Sequence, residues 1–129
     1  MRGEGATKPI RVMHVEDHPD FRNLVKILLR RQSDIELVAQ AGSLAEAHHY
    51  TMTLEFDAVV LDLGLPDGDG VDLIGELRRS NPGVGVLILS ASLDAASHER
   101  AIEAGADETM DKLAPLNEVL AAVRRLGSA

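Results

Sequence analysis

The sequence has no cysteine and no tryptophan, only two phenylalanines and one tyrosine, and no long apolar run. Without cysteine there can be neither a disulfide framework nor a thiolate metal site. The fold must therefore rest on an apolar core, and a reducing compartment such as the cytoplasm is expected to suit it. No apolar stretch approaches the roughly 20 residues that span a bilayer, so no membrane partner is expected. The opening MRGEGATKP carries basic residues with no apolar segment behind them, which is not the pattern of a secretory signal. It reads as a flexible tail over residues 1–9. Excess positive charge is also missing. At a net charge of −8, with so few aromatics, the chain offers neither a basic face nor a stacking platform, so direct nucleic-acid contact is not expected.

What is present is the balance of one ordinary globular domain: 129 residues, 45% hydrophobic and 26% charged. Apolar runs of strand length alternate with amphipathic stretches. Ile10 to Val15 is the first strand, stopped by Glu16-Asp17-His18-Pro19. Phe21, Leu24, Val25 and Leu28 then fall on one helix stripe, with Asp17 or Asp20 as its cap and Pro19 suited to its entry. Residues 35–39 read as a second strand. Ser43 with Glu46 three residues on has capping-box spacing, opening a helix that ends near Leu54. Ala58-Val59-Val60-Leu61 is continuous apolar, as a strand buried on both faces would be. It gives way at Asp62 to the Gly- and Pro-rich turn 64–70. A helix over 71–79, a strand over 84–89 ending at Ser90, an Ala-rich helix over 93–104, a short strand near 108–110 and a last helix stripe at Leu116, Val119, Leu120 and Val123 complete the pattern. Five βα units predict an α/β fold with a doubly wound, five-stranded parallel sheet and right-handed crossovers, flavodoxin-like (βα)5, in the order 2-1-3-4-5. The domain is expected over 10–126, with 127–129 as its trailing end.

In such a sheet the ligand site lies beyond the carboxyl ends of the strands. The residues ending the strands are Glu16 and Asp17, Asp62, Ser90, and Asp111 with Lys112. Carboxylates this close repel unless a cation sits among them, and oxygen ligands with room for water suit Mg²⁺, with Mn²⁺ as the alternative. A bound metal, Ser90 and Lys112 could together receive phosphoryl oxygens, leaving Asp62 as a nucleophilic carboxylate. Taken singly these residues have ordinary explanations: Asp17 as a helix cap, Asp62 as a turn former, Ser90 as a cap, Lys112 as a solvated lysine. Their common landing on strand ends favours the functional reading.

Val-Glu-Asp-His at 15–18, Leu-Asp-Leu-Gly-Leu-Pro-Asp-Gly-Asp-Gly at 61–70, Leu-Ser-Ala at 89–91 and Asp-Lys at 111–112 resemble the signature of response-regulator receiver domains. The resemblance runs over nearly the whole chain, and the His-Pro after the acidic pair is most like receivers that carry a LuxR-type helix-turn-helix output. It implies a phosphorelay switch rather than a turnover enzyme, with Asp62 as phosphoacceptor. It implies Mg²⁺ held by Glu16, Asp17, Asp62 and the Gly64 carbonyl, phosphoryl oxygens held by Ser90 and Lys112, and access left by small Ala91. Pro66 and Gly70 match the loop after the phosphorylation site. The implied partners are a sensor histidine kinase or phosphotransfer protein, and a second copy through the face of the fourth helix, fifth strand and fifth helix. Two positions depart from the pattern. Leu113 follows the lysine where many receivers have proline, and Thr109 stands where the family has a switch aromatic.

Rival readings are weaker. A receiver-like binding module that works without phosphorylation is the alternative function, and phosphodonor labelling separates the two. A phosphatase with an Asp nucleophile would need a second Asp where Gly64 stands. Asp67, Asp69 and Asp72 fail the EF-hand pattern, because Val71 and Asp72 hold the places of a ligand and of the obligatory glycine. The Gly-rich turn lacks a P-loop ending. His14 and His18 straddle a strand end rather than one helix face, which disfavours a zinc pair. His48-His49 reads as solvated or partly packed. Arg30-Arg31, Arg78-Arg79 and Arg124-Arg125 read as solvated helix ends.

Overall fold

A computed structural model describes residues 8–91 and 93–128. The expected tail therefore lies, apart from Lys8 and Pro9, outside the described residues. The elements run β1 (Ile10–Val15), α1 (Pro19–Arg30), β2 (Ile35–Ala41), α2 (Leu44–Thr53), β3 (Ala58–Leu61), β4 (Gly64–Leu65), β5 (Gly68–Asp69), α3 (Val71–Ser80), β6 (Gly85–Ser90), α4 (Ala95–Ala104), β7 (Glu108–Asp111) and α5 (Leu116–Gly127). The main sheet is parallel with order β2-β1-β3-β6-β7. This is the expected 2-1-3-4-5 order once β4 and β5, a small antiparallel pair inside the turn after β3, are counted.

The central strands show why they read as unbroken apolar runs. Along β3, Val59 and Leu61 enter one core, shared with Leu73, Ile74 and Leu77 of α3. Ala58 and Val60 enter the other, shared with Val25 and Leu29 of α1 and Val119 and Val123 of α5. Side chains alternate across a strand, so a sheet covered on both faces demands apolar residues at every position. Helices α1 and α5 thus cover one face, and α2, α3 and α4 the other.

Several local expectations are corrected. Leu24 does not join the α1 stripe. It is 45% exposed, and Leu29 is buried in its stead, because the face toward the sheet is narrower than the apolar pattern. The α1 cap is His18, whose Nδ1 accepts from the Phe21 amide at 3.4 Å, rather than Asp17 or Asp20. Pro19 occupies the first turn, which places the cap one residue before it. β2 extends two residues past its expected end, where a register shift between Val12 and Met13 carries pairing on to Ala41. α4 begins at Ala95, capped by Asp94. α5 continues through Gly127. The Lys112–Leu113 peptide is trans.

Arg30, Arg31 and Arg79 are exposed, as expected, but Arg78, Arg124 and Arg125 are not simply solvated. Arg78 donates to the carbonyls of Gly105 (2.9 and 2.7 Å), Pro82 (3.2 Å) and Val84, and to the Asp107 carboxylate at 2.6 Å. Arg124 pairs with Asp34 at 2.7 Å, and Arg125 with Glu108 at 2.6 Å. With Arg11–Asp57 at 3.3 Å and the Asn81 amide donating to the Phe56 carbonyl at 3.0 Å, these ties gather at the end of the sheet where the strands begin.

Candidate functional site

At the opposite end, backbone hydrogen bonds continue just past the strands. The Glu16 amide donates to the Ala41 carbonyl at 2.8 Å, the Asp62 amide to Val15 at 3.0 Å, and the Lys112 amide to Ser90 at 3.1 Å. Glu16, Asp62 and Lys112 are therefore fixed to the sheet edge through their main chains, and their side chains meet above it.

Lys112 Nζ lies 2.7 Å from Glu16 Oε1 and 2.9 Å from Asp62 Oδ2, and 5.0 Å from the centre of the Phe21 ring. The other Asp62 oxygen accepts from the Gly64 amide at 3.2 Å, and Glu16 Oε2 accepts from the His18 amide at 3.0 Å. Burial pushes the lysine pKa down, but the bonds and charges of Glu16 and Asp62 outweigh it and the net shift is upward. Lys112 is thus held as an ammonium. Glu16 is 1% exposed and Asp62 8%, whereas Asp17 is exposed. Buried carboxylates persist only when paired, and Lys112 is the partner they share.

The acidic cluster fits a cation. Glu16, Asp17 and Asp62 each offer an oxygen within 4.8 Å of the others. Glu16 Oε1 is within ion-pair distance of Lys112 yet, among the described residues, is the buried side-chain atom without an aligned hydrogen bond. An all-oxygen donor set of three converging carboxylates, with one lysine between two of them, suits a hard divalent ion. Beside it opens a cleft of about 490 Å³ lined by Asp62, Gly64, Ser90, Ala91, Ser97 and Arg100, among others. Ser90 is buried at the end of β6, and Ala91 and Gly64 are exposed at the rim. Thr109, in β7 beside Ile88, stands away from this cluster, with its hydroxyl 2.5 Å from Nδ1 of His98 on α4.

The structure gives Gly70, already matched to the loop motif, a steric role: a Cβ there would meet the Asp62 carbonyl oxygen at 2.6 Å, so the loop carrying Asp62 can close only on a glycine. It also adds contacts that the motifs do not announce. Arg22 donates to the Glu16 carbonyl at 3.0 Å, and Phe21 floors the lysine. Asp67 accepts from the amides of Leu44 and Ala45, docking the β4–β5 hairpin on the start of α2. His14 carried a signal, a histidine inside an apolar strand. It is buried, and the Gln40 amide donates to its Nδ1 at 3.1 Å.

Comparison with known proteins gives a consistent result. The family model described as the response regulator receiver domain matches residues 12–124. The Fimbriae Z protein of Salmonella typhimurium is 32% identical over 119 residues, which are 92% of this chain and 57% of that protein. Among solved structures, a LuxR-family two-component response regulator from Aurantimonas is 30% identical with a TM-score of 0.84, over 94% of this chain and 86% of that one. A response regulator from Burkholderia pseudomallei, solved with a phosphorylated aspartic acid, a calcium ion and citrate, is 27% identical with a TM-score of 0.79, over 92% and 69%. The chain spans little more than half the length of the curated relatives it matches.

Proposed function

The chain belongs to the response regulator receiver domain family, a family of phosphorelay switches in two-component signalling, and from that premise we propose that Asp62 is its phosphoacceptor. An Asp62 oxygen attacks the phosphorus of a phosphohistidine on a sensor kinase or phosphotransfer protein, or of a small phosphodonor. The bond from phosphorus to the donor breaks, its electron pair leaves with the donor, and an acyl phosphate remains on Asp62. Water later cleaves that acyl phosphate and resets the switch. The role is regulatory, and the chain itself catalyses both steps.

The observation that carries this reading is the setting of Asp62: almost buried at a strand end, 2.9 Å from the Lys112 ammonium and within reach of two further carboxylates. Lys112 already faces the carboxylate and is positioned to take a phosphoryl oxygen as charge develops. Ser90, on the cleft wall, takes another, and small Ala91 leaves the approach open. Glu16, Asp17, Asp62 and the Gly64 carbonyl would hold Mg²⁺, or Mn²⁺ in its place; when bound, the ion neutralises phosphoryl charge. The neighbour with a phosphorylated aspartate and a divalent ion supports the same chemistry here.

Phosphorylation draws Ser90 inward and biases two states of the face formed by α4, β7 and α5. That face is the proposed surface for a second copy. The longer relatives support an output segment of LuxR type beyond this domain, with transcription as its target. To test the site, the protein is incubated with acetyl phosphate and Mg²⁺ and the modified residue mapped by mass spectrometry. Labelling at Asp62 that is lost in Asp62→Asn is the expected result. Equal labelling of the variant, or none of the wild type, leaves the phosphorylation-independent binding module as the better account.

A further inference from the structure

The cleft beside Asp62 contains a cation with no role so far. Arg100 of α4 lines it, and among its described lining residues Arg100 is the basic one. Its guanidinium reaches Asp69 of β5 at 2.5 Å, so the pair links the helix to the hairpin. The two partners are not equally held. The second Asp69 oxygen accepts from the Val71 amide at 3.0 Å, which anchors that carboxylate to the start of α3. The Arg100 side chain is 56% exposed, and α4 buries only Ala101 against the core. The anion is the fixed member and the cation the movable one.

A phosphodonor approaching this cleft brings negative charge toward three carboxylates on a chain of net charge −8. Lys112 is already engaged by Glu16 and Asp62. A guanidinium in the cleft wall offsets the repulsion, and a guanidinium paired to an aspartate offsets it only in part. We propose that Arg100 is a donor-binding residue that favours doubly charged small phosphodonors such as acyl phosphates, and that Asp69 restrains it by competing for the guanidinium. The inference rests on Asp62 being the phosphoacceptor. In the step concerned, the Asp62 oxygen bonds to phosphorus, the bond from phosphorus to the acyl oxygen breaks, and the donor's carboxylate leaves with the electron pair. Arg100 contacts donor oxygens and exchanges no proton.

The test compares phosphorylation rates of the whole chain with acetyl phosphate, a dianion near neutral pH, and with phosphoramidate, which carries less net charge. Arg100→Ala should slow the acetyl phosphate reaction by about three- to tenfold at low salt, an effect that shrinks as ionic strength rises. Phosphoramidate should respond less, and Arg100→Lys should restore part of the rate. Asp69→Asn keeps an acceptor for the Val71 amide while removing the charge, so it should accelerate acetyl phosphate. That gain should shrink in the Arg100→Ala background. Equal slowing of both donors without salt dependence, or no slowing at all, overturns the proposal and leaves Arg100–Asp69 as a structural tie. Melting temperatures of the variants identify a folding defect. Absence of labelling in the wild type, or labelling of Asp62→Asn, is a different failure, that of the phosphoacceptor reading itself.

Discussion

His14 is a residue whose chemistry is set wholly by where the fold puts it. It is 1% exposed inside β1, and burial first, then the charges of Lys112 and Arg22, push its pKa down to about 3. Gln40 can only donate to Nδ1, so the ring proton sits on Nε2, while the same Gln40 amide also reaches the Arg22 carbonyl at 2.8 Å. Between the ordinary histidine pKa of about 6.5 and the folded value, the unfolded chain binds a proton that the folded chain refuses. Stability therefore falls as pH drops through that window, by up to about 1.4 kcal/mol per pH unit from this group. His14→Met should flatten the profile in the upper part of the window, before the carboxylates titrate. Urea unfolding at a series of pH values measures it, and parallel profiles for both proteins would contradict the assignment.

At the scale of elements, the loop from β3 to α3 depends on one missing side chain. A Cβ at Gly70 would press on the Asp62 carbonyl oxygen and on Leu63 Cα at 3.0 Å, whereas a Cβ at Gly64 meets nothing within 4 Å. Gly70→Ala should cost about 1–3 kcal/mol, as overpacking does, and should lower the phosphorylation rate of the protein that still folds. Gly64→Ala is the matched control, expected near wild type in melting temperature. Equal effects of the two would remove the steric explanation. The contrast also marks what could be read in advance. β3 and β6 are legible because a strand buried on both faces leaves an apolar run, β1 because it stays apolar-rich around Arg11 and His14, and the strand-end residues follow from them. The β4–β5 hairpin is not, because two-residue strands have no period. Leu24 and Leu29 are equally apolar, and only the sheet decides which of them is covered. Arg78 reads as solvated because most of its acceptors are backbone carbonyls, which no residue type announces, and its carboxylate partner Asp107 is distant in sequence, as Asp69 is from Arg100, 31 positions away.

For the molecule as a whole, a cation bound only by the folded chain must stabilise it. Mg²⁺ at ten times its dissociation constant should add about 1.4 kcal/mol, with a rise in melting temperature that saturates. Asp17→Asn should lose most of that rise; a full response in the variant would exclude Asp17 as a ligand. The two ends of the sheet are built differently, and this has a mechanical consequence. Where the strands begin, Arg11, Arg78, Arg124 and Asn81 stitch loop to helix to neighbouring strand. Where they end, the Asp62 carboxylate faces an open cleft, and α4 beside it buries a single side chain, Ala101, and is otherwise held by surface bonds such as Arg100–Asp69 and His98–Thr109. The base acts as an anvil and the top as the working edge. With Asp62 as the proposed phosphoacceptor, a displacement there would meet the stitched base of the sheet below and the lightly packed α4 beside it, so it would leave sideways, through α4 toward β7.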